Sequence, residues 1–361
     1  MMVPLVKVGM PDPARLMPAL EATLMSGQIG EGEQVREFEE AFAAEFGLPH
    51  ALAMSSGTAA LHACLTLAGV QPGDEVVSTA MTAEPTNVVI LHAGARPVFA
   101  DVDPASGNLD PSAVEAAITS RTKAILLVHY AGYPVRMAEI SAIAMRHGLP
   151  VIEDCAHALG ARCNGQPIGT LGDFGIFSLQ AIKHMTTGDG GVLVMKDEAL
   201  LTEARRFRWF GLERGVDRTQ TNIQSIGYKY NMNNISATIG LSQMEIIAGR
   251  IKAHIANGRW FDAELAAVPG LMPAYAGPCA EPSYWLYTLL SDDSSSVIDC
   301  LAGIGVQASK LHRRNDAHAI FAGDWTLPGL DNFYDRLVHL PCGWWVDAHT
   351  RERIVDALRR G

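Results

Sequence analysis

The feature that most constrains the fold is a regular alternation of short apolar runs and helical stretches between about residues 50 and 200. Several runs are apolar on both faces, as are strands of a sheet that helices cover on both sides. The stretches between them, such as PSAVEAAIT and VRMAEISAIAMRHG, have helical spacing. The pattern predicts an α/β fold built on a mostly parallel, seven-stranded sheet. The predicted strands are ALAM from Ala51, DEVVST from Asp74, RPVFADVD from Arg96, KAILLVHY from Lys123, LPVIEDC from Leu149, FGIFSL from Phe174 and GGVLVM from Gly190.

The pattern changes after Gly240. The stretch LSQMEIIAGRIKAHIANGRWFDAELAAV is helical throughout and stops before Pro269 and Gly270. A short strand in PSYWLYTLL and a helix that ends near Gly303 follow it. We therefore expect a large domain over residues 1–245 and a smaller C-terminal α+β domain over residues 246–361.

Composition and charge exclude several classes of protein. The formal net charge of −11 is spread along the chain, which argues against non-specific binding to nucleic acid. No apolar run approaches the ~20 residues that a membrane helix needs, and the first residues lack the apolar core of a signal peptide. The six cysteines form no CxxC pair and are expected to be buried free thiols. We expect a cytoplasmic protein that binds neither nucleic acid nor membrane.

Three motifs carry candidate chemistry, and the first is MSSGTAALHACLTLAG. A strand ends at Met54, and Ser55, Ser56, Gly57 and Thr58 open a helix. Glycine permits a tight turn, and the free N–H groups at a helix start favour an anion such as phosphate. An ordinary serine or threonine N-cap explains the same residues.

The second motif, VIEDCAHA, puts two adjacent acids at the carboxyl end of a strand. Open α/β sheets bind ligands at this edge. Because side chains alternate along a strand, only one of Glu153 and Asp154 can point into a crevice there. A solvated strand end explains the motif equally well.

The third motif, FSLQAIKHMTTGDGG, has Lys183 between a strand and a glycine-rich turn. A partly desolvated lysine near a crevice can act as a nucleophile toward a carbonyl. A lone lysine is usually a solvated surface residue, but here all three motifs occur in order on one predicted sheet. Together they supply what pyridoxal 5′-phosphate (PLP) requires: a lysine, an acid for the pyridine nitrogen and a cradle for the phosphate.

With these motifs, the chain resembles the DegT/DnrJ/EryC1/StrS family of sugar aminotransferases. The resemblance begins with SGQIGEGEQVREFEEAF and continues through SSGTAAL, RPVFADVD, VHYAGYP, IEDCAHALGA and FSLQAIKHMTTGDGG to GYKYNMNNISATIGLSQM. It implies the PLP fold-type I architecture. The pattern is most similar to the subgroup of the transaminase that makes UDP-4-amino-4-deoxy-L-arabinose.

The resemblance also implies roles for the residues of the three motifs. Lys183 matches the lysine that binds the cofactor covalently and serves as a catalytic base and acid. Asp154 matches the acid that pairs with the pyridine nitrogen. Gly57 and Thr58 match the phosphate-binding turn, and Ser178 matches a serine that contacts the phosphate.

Three further positions match the family outside these core roles. His157 matches a Gln/His position close to the cofactor ring. Lys229 lies in GYKYN, a segment that in the family reaches into the neighbouring subunit's site, so the resemblance implies a homodimer with shared sites. His312 matches a histidine near the substrate, although a surface loop residue would look the same. No metal site is expected.

The chain departs from the family pattern at a few positions. GYKYNM replaces the frequent GYNYRM, which puts Lys229 and Asn231 where many members have Asn and Arg; the arabinose subgroup shares the lysine. TGDGG replaces TGEGG and keeps the acid. Ala83 stands where members often carry an aromatic residue that stacks on the cofactor ring, and we expect His157 to cover that face. Coverage by Met81, or a widened pocket that admits a bulkier substrate, are the alternatives.

The reaction that the resemblance implies is transfer of an amino group from L-glutamate to a nucleotide-linked keto-sugar, with C4 favoured over C3. An aminocyclitol ketone is an alternative acceptor, and a PLP-binding non-catalytic homologue is an alternative function. Sugar 3-dehydratases of this type replace the lysine with histidine, whereas this chain keeps Lys183. A nicotinamide-dependent dehydrogenase is disfavoured because no GxGxxG follows the first strand.

Overall fold

Residues 2–360, which the computed structural model describes, form thirteen strands and eleven α-helices. The strands are Ala51–Met54 (β1), Glu75–Thr79 (β2), Arg96–Ala100 (β3), Thr122–Val128 (β4), Val151–Asp154 (β5), Arg162–Cys163 (β6), Gln166–Pro167 (β7), Phe174–Ser178 (β8), Gly191–Met195 (β9), Leu271–Pro273 (β10), Ala280–Glu281 (β11), Tyr287–Ser291 (β12) and Leu337–Leu340 (β13). The helices are Pro13–Met25 (α1), Glu33–Phe46 (α2), Gly57–Leu67 (α3), Glu84–His92 (α4), Pro111–Ala117 (α5), Met137–His147 (α6), Leu201–Phe207 (α7), Asn234–Leu265 (α8), Ser294–Gly303 (α9), Pro328–Arg336 (α10) and Ala348–Arg360 (α11).

The large sheet contains seven strands in the order β1-β9-β8-β5-β4-β2-β3. Four neighbouring pairs run parallel, and β9 runs antiparallel to both β1 and β8. Each of the seven runs predicted from the sequence is one of these strands. The α/β class and the mostly parallel seven-stranded sheet are therefore confirmed.

Helices cover both faces of this sheet, and successive side chains of a strand enter different cores. Leu126 of β4 packs in the core that holds side chains of α3, α4 and α7. Ile125 and Leu127 pack in the core that holds side chains of α5 and α6. Burial on both faces explains why the strands are continuous apolar runs.

A smaller α+β region follows, in which the antiparallel sheet β10-β12-β13 packs with α9 and α11. Its apolar side chains share one core with Tyr130 and Tyr133, which follow β4 of the large sheet. A third, three-stranded sheet, β11-β6-β7, joins residues of both regions. The small region therefore packs directly beside the carboxyl edge of the large sheet.

The helix α8 connects the two regions without a break over 32 residues. It begins at Asn234, earlier than the predicted stretch, because the side chain of Asn233 accepts a hydrogen bond from the Ser236 N–H at 2.8 Å. The expected boundary between residues 245 and 246 falls inside this helix, and the division into domains at that point stays a prediction. Within residues 2–360, no helix is long and apolar enough to span a membrane.

All six cysteines are free thiols. Cys64, Cys155 and Cys342 are buried, as expected from the sequence. Cys163 and Cys300 are half-buried and Cys279 is exposed, so the expectation of buried thiols is wrong for Cys279, which lies in the irregular segment just ahead of β11.

Candidate active site

A cavity of about 390 Å³ opens at the carboxyl ends of β1, β5 and β8. It lies where open α/β sheets place their ligands. Seven of the eight residues singled out from the sequence line it, and Lys229 does not. The seven are Gly57, Thr58, Asp154, His157, Ser178, Lys183 and His312.

Asp154 ends β5 and presents its carboxylate to this cavity. Oδ1 accepts a hydrogen bond from the Ala156 N–H at 3.0 Å, and Oδ2 accepts one from the Thr86 hydroxyl at 2.9 Å. Burial raises the pKa of Asp154, while these two donors and the nearby Lys183 act in the opposite direction. Thr86, from α4, was not identified from the sequence.

Glu153 points to the opposite side of the sheet and does not line the cavity. Its carboxylate accepts backbone N–H hydrogen bonds from Gly169, Leu171 and Gly172 at 2.6–2.9 Å, and it pairs with His129 Nε2 at 3.0 Å. Since His129 Nδ1 accepts from the Val135 N–H, Nε2 is the nitrogen that donates to Glu153. Glu153 therefore fastens the segment 169–172, and only Asp154 is available to a ligand.

Lys183 lies in the turn between β8 and β9 and is half-buried at the wall of the cavity. Burial lowers the pKa of its ammonium to about 8, although the Asp154 carboxylate acts in the opposite direction. An amine with this pKa is partly neutral at neutral pH and can act as a nucleophile or a base. Trp285, which the sequence analysis did not single out, packs against the same lysine.

The start of α3 forms a small cradle at the cavity wall. The Ser56 hydroxyl accepts a hydrogen bond from the Ala59 N–H at 3.0 Å, which fixes the first turn. The N–H groups of Gly57 and Thr58 have no partner within the helix, because they belong to its first turn. A Cβ on Gly191 would lie 2.5 Å from the backbone of Ser56, so only glycine lets β9 approach this closely. The cradle suits a phosphate.

His157 and His312 bring two imidazole rings to the cavity, with centroids 5.5 Å apart. Burial lowers the pKa of His157 well below its usual range and that of His312 to about 4, so both rings are neutral at neutral pH. Nδ1 of His157 and Nε2 of His312 are buried and have no hydrogen-bond partner among the described residues. These nitrogens are available to polar atoms of a bound molecule. Coverage of the cofactor face by His157 stays a prediction.

Lys229 lies away from this cavity. Its Nζ donates a hydrogen bond to Asn231 Oδ1 at 2.8 Å and lies 3.8 Å from the ring centroid of Trp209. A second cavity of about 390 Å³ is lined mainly by arginine and glutamate side chains, and two of them, Arg214 and Glu31, act electrostatically on Lys229. Many of these charges already pair with one another, as Arg208 does with Glu31 and Glu39. The role of Lys229 in a neighbouring subunit's site stays a prediction.

The residues at the first cavity fit PLP. The cavity brings together a helix start that can bind an anion, a buried carboxylate and a lysine with a lowered pKa. Two imidazole nitrogens without a hydrogen-bond partner also line it. Ala83 also lines the cavity directly before α4, so no aromatic ring extends from that position.

Comparison with known proteins identifies relatives over the whole chain. The model of the DegT/DnrJ/EryC1/StrS aminotransferase family matches residues 12–359. The chain is 37% identical over 356 residues to the spore coat polysaccharide biosynthesis protein SpsC of Bacillus subtilis (strain 168), covering 93% of this chain and 92% of SpsC. It is 36% identical over 283 residues to GDP-perosamine synthase of Caulobacter vibrioides, covering 77% and 76% of the two chains. The crystal structure of the sugar aminotransferase CalS13 from Micromonospora echinospora superposes with a TM-score of 0.96 at 38% identity and full coverage of both chains.

Proposed function

Since the chain belongs to the DegT/DnrJ/EryC1/StrS family and is a PLP-dependent sugar aminotransferase, we propose that it transfers an amino group from L-glutamate to a nucleotide-linked keto-sugar, at C4 in preference to C3. The observation that carries the proposal is the single cavity that joins Lys183, Asp154 and the start of α3. The nucleotide is supported by one relative, whose name specifies a GDP-linked product. The preference for C4 rests on the sequence similarity to the subgroup of the UDP-4-amino-4-deoxy-L-arabinose transaminase.

PLP would be held by residues from several elements around the cavity. The N–H groups of Gly57 and Thr58 and the Ser178 hydroxyl would bind its phosphate, and Asp154 would pair with its pyridine nitrogen. Lys183 would form the covalent bond, and the imidazole ring of His157 would cover one face of the cofactor ring. When bound, PLP supplies an electron sink for negative charge that develops at Cα of the amino donor.

The protein side chains would then handle protons and charge. Lys183 Nζ would accept the proton that leaves the donor Cα and return it later in the reaction, which suits a group whose pKa lies near the working pH. Asp154 would stay ionised through its two donors, Ala156 N–H and the Thr86 hydroxyl. His312, neutral and unpartnered through Nε2, would contact the sugar.

We also propose that two chains form a homodimer with shared sites. The proposal is supported by the GYKYN segment, whose Lys229 lies outside its own chain's cavity. Lys229 would reach the cofactor bound by the neighbouring subunit.

The decisive experiment for the substrate is a panel of acceptors with glutamate, read as 2-oxoglutarate release. The panel should hold nucleotide-linked 3-keto and 4-keto sugars and one aminocyclitol ketone. We expect turnover of a 4-keto sugar by the parent and none by Lys183→Ala, with Lys123→Ala as the matched control for loss of a lysine. Turnover of the cyclitol ketone alone would replace the nucleotide sugar as the acceptor.

A further inference from the structure

Trp285 connects the small sheet to Lys183. It lies two residues before β12 and is buried, with 2% of the residue exposed. The Nζ of Lys183 lies 4.0 Å from the centroid of this ring, over its face. The indole N–H donates a hydrogen bond of 2.9 Å to the carbonyl of Ile182, the residue directly before Lys183. One side chain therefore contacts both the amine and the backbone of the same lysine.

The same ring also orders His157. The two ring centroids are 4.2 Å apart with planes inclined by 18°, which is a stacked arrangement. Trp285 thus lies against both Lys183 and His157. A change in its position would move both.

The backbone around Trp285 is itself fixed to the large sheet. The N–H groups of Ser283 and Leu286 donate hydrogen bonds to the carbonyls of Gly132 and Ala131, in the turn that follows β4. Gly132 has a φ of 97°, and a Cβ there would lie 2.8 Å from the Trp285 nitrogen. Glycine is therefore required for the close approach that positions Trp285 under the lysine.

The remaining charged and titratable groups near Lys183 do not fix its amine. Lys183 acts electrostatically on Asp154, His157, His184 and His312. Of these groups, the Asp154 carboxylate is the one that opposes the effect of burial on the pKa of Lys183. Within residues 2–360, Nζ forms no hydrogen bond to any of them. An unrestrained lysine side chain has many rotamers, and most of them point the amine away from a reacting atom.

We propose that Trp285 is a positioning residue for Lys183, with the ring face holding the ammonium and the indole N–H fixing the adjacent backbone. The inference rests on the proposed function, because Lys183 needs such positioning only if it is the reactive lysine. The attraction between a cation and an aromatic face shifts the protonation equilibrium of the amine toward its charged form by about 2- to 30-fold. Trp285 therefore favours the protonated form of Lys183 against the effect of burial.

The first test measures the protonation of Lys183 directly. Full-length protein without cofactor is labelled at amines over a range of pH, and the Lys183 peptide is quantified by mass spectrometry with the Lys123 peptide as reference. The parent should give a midpoint of about 8. Trp285→Leu keeps an apolar cover but removes the ring face, so the midpoint should fall by about 0.5 to 1.5 pH units. An unchanged or raised midpoint would overturn the proposal.

A second test does not depend on the folding of the leucine variant. Incorporation of fluorinated tryptophans weakens the attraction of the ring face for a cation and leaves its shape nearly unchanged. The Lys183 midpoint should fall stepwise as fluorines are added. Trp285→Phe grown on the same analogues keeps the other five tryptophans and should show no such steps. Equal steps in both proteins would assign the effect to another tryptophan and overturn the proposal.

Kinetics and mapping separate this inference from the proposed function. Trp285→Phe should lower kcat about 3- to 10-fold and leave KM for the sugar unchanged, because its smaller ring loses the Ile182 hydrogen bond. Borohydride reduction should still place the pyridoxyl group on Lys183. If the pyridoxyl group is found on Lys183, but neither the Lys183 labelling midpoint nor kcat changes in the Trp285 variants, only the proposed role of Trp285 fails. If the group is on another lysine, the proposed function fails, and this inference fails with it.

Discussion

The hydroxyl of Thr86 donates a hydrogen bond of 2.9 Å to Oδ2 of Asp154. Thr86 is the third residue of α4, three residues after Ala83, and Thr82 Oγ1 lies 3.0 Å from its hydroxyl. Asp154 is buried, and burial raises its pKa. The Thr86 hydroxyl, with the Ala156 N–H, therefore helps to keep the carboxylate ionised.

Thr86→Val should impair the enzyme most at low pH. Loss of the donor removes an interaction that lowers the pKa of Asp154, so that pKa rises and the acid limb of kcat moves to higher pH. A hydrogen bond to a charged group is worth about 1.5–3 kcal/mol. If the whole of this energy stabilises the transition state and not the ground state, its loss lowers the rate by roughly one to two decades. The measurement is kcat against pH, with Thr86→Ser as the control that keeps the hydroxyl. A valine variant with the parent's acid limb would contradict this role.

Asp154→Asn and Glu153→Gln should impair different properties of the enzyme, although the two acids are adjacent: the first should lower kcat and the second should lower stability. Asp154→Asn should lose about one to two decades in kcat with most cofactor affinity retained, because the start of α3 would still bind the phosphate. Glu153→Gln should lower the free energy of unfolding by about 3 kcal/mol or more, and with it the melting temperature. The reason is that the NH₂ group of the new amide would face the N–H groups of residues 169–172, where the carboxylate accepted hydrogen bonds. Its kcat, measured well below melting, should stay within about threefold of the parent. A stability loss in Asp154→Asn together with a loss of kcat in Glu153→Gln would show that Glu153, and not Asp154, serves the cofactor.

Covalent binding of the cofactor should depend on pH with a midpoint of about 8. Below that pH Lys183 carries a proton, and the rate at which added PLP forms the yellow species should fall about tenfold per pH unit. Lys183→Ala should form no such species, whereas Lys123→Ala and Lys196→Ala should match the parent. A midpoint near 10.5, the ordinary value for lysine, or a pyridoxyl group mapped to Lys123, would show that another amine reacts.

Mixed dimers should recover activity if the sites are shared. Lys183→Ala and Lys229→Ala are each expected to be inactive or nearly so, but one site of a mixed dimer would contain both lysines. Equal mixing with complete subunit exchange should restore about a quarter of the parent activity, because half of the dimers carry one intact site. Mass photometry confirms the exchange and the dimer. No recovery after exchange would place Lys229 outside the partner's site.

Ala83→Trp should tighten PLP binding. The side chain at this position lines the cavity before α4, and an aromatic ring there could stack on the cofactor for about 0.5–1.5 kcal/mol beyond area burial. The dissociation constant should fall up to roughly tenfold. Ala83→Leu adds bulk without a ring and is the matched control. Equal tightening by both variants would assign the gain to burial alone.

The large sheet could be predicted from local patterns, whereas the choice of most site residues also needed the resemblance to a family. Continuous apolar runs identify buried strands, and the carboxyl ends of parallel strands meet at one edge, which favours a position of Asp154 and Lys183 near each other. The alternation along β5 left open which of two acids enters the cavity. The choice depends on the segment 169–172 and on His129, whose positions no local pattern of the sequence specifies.

Thr86 and Trp285 could not be predicted for the same reason. Thr86 approaches Asp154 from another helix, at a separation of 68 residues, and Trp285 bonds to Ile182 at a separation of 103 residues. The segment around Trp285 was expected to be a strand, yet β12 begins at Tyr287. The position of Trp285 ahead of the strand is set by its hydrogen bonds to the turn after β4. Lys229 differs again, since its proposed role requires a second chain.

Pairing of β1 with β9 delays completion of the large sheet during synthesis. Met54 lies opposite Gly191, so on the order of 140 residues must be made before β1 gains its partner. At the usual 5–20 residues per second, translation of that segment takes on the order of ten seconds. During this interval β1 offers an unpaired edge, which is a template for association with other chains. The ribosome therefore sets the shortest time for which a nascent chain exposes this edge, whatever the folding rate of the finished protein.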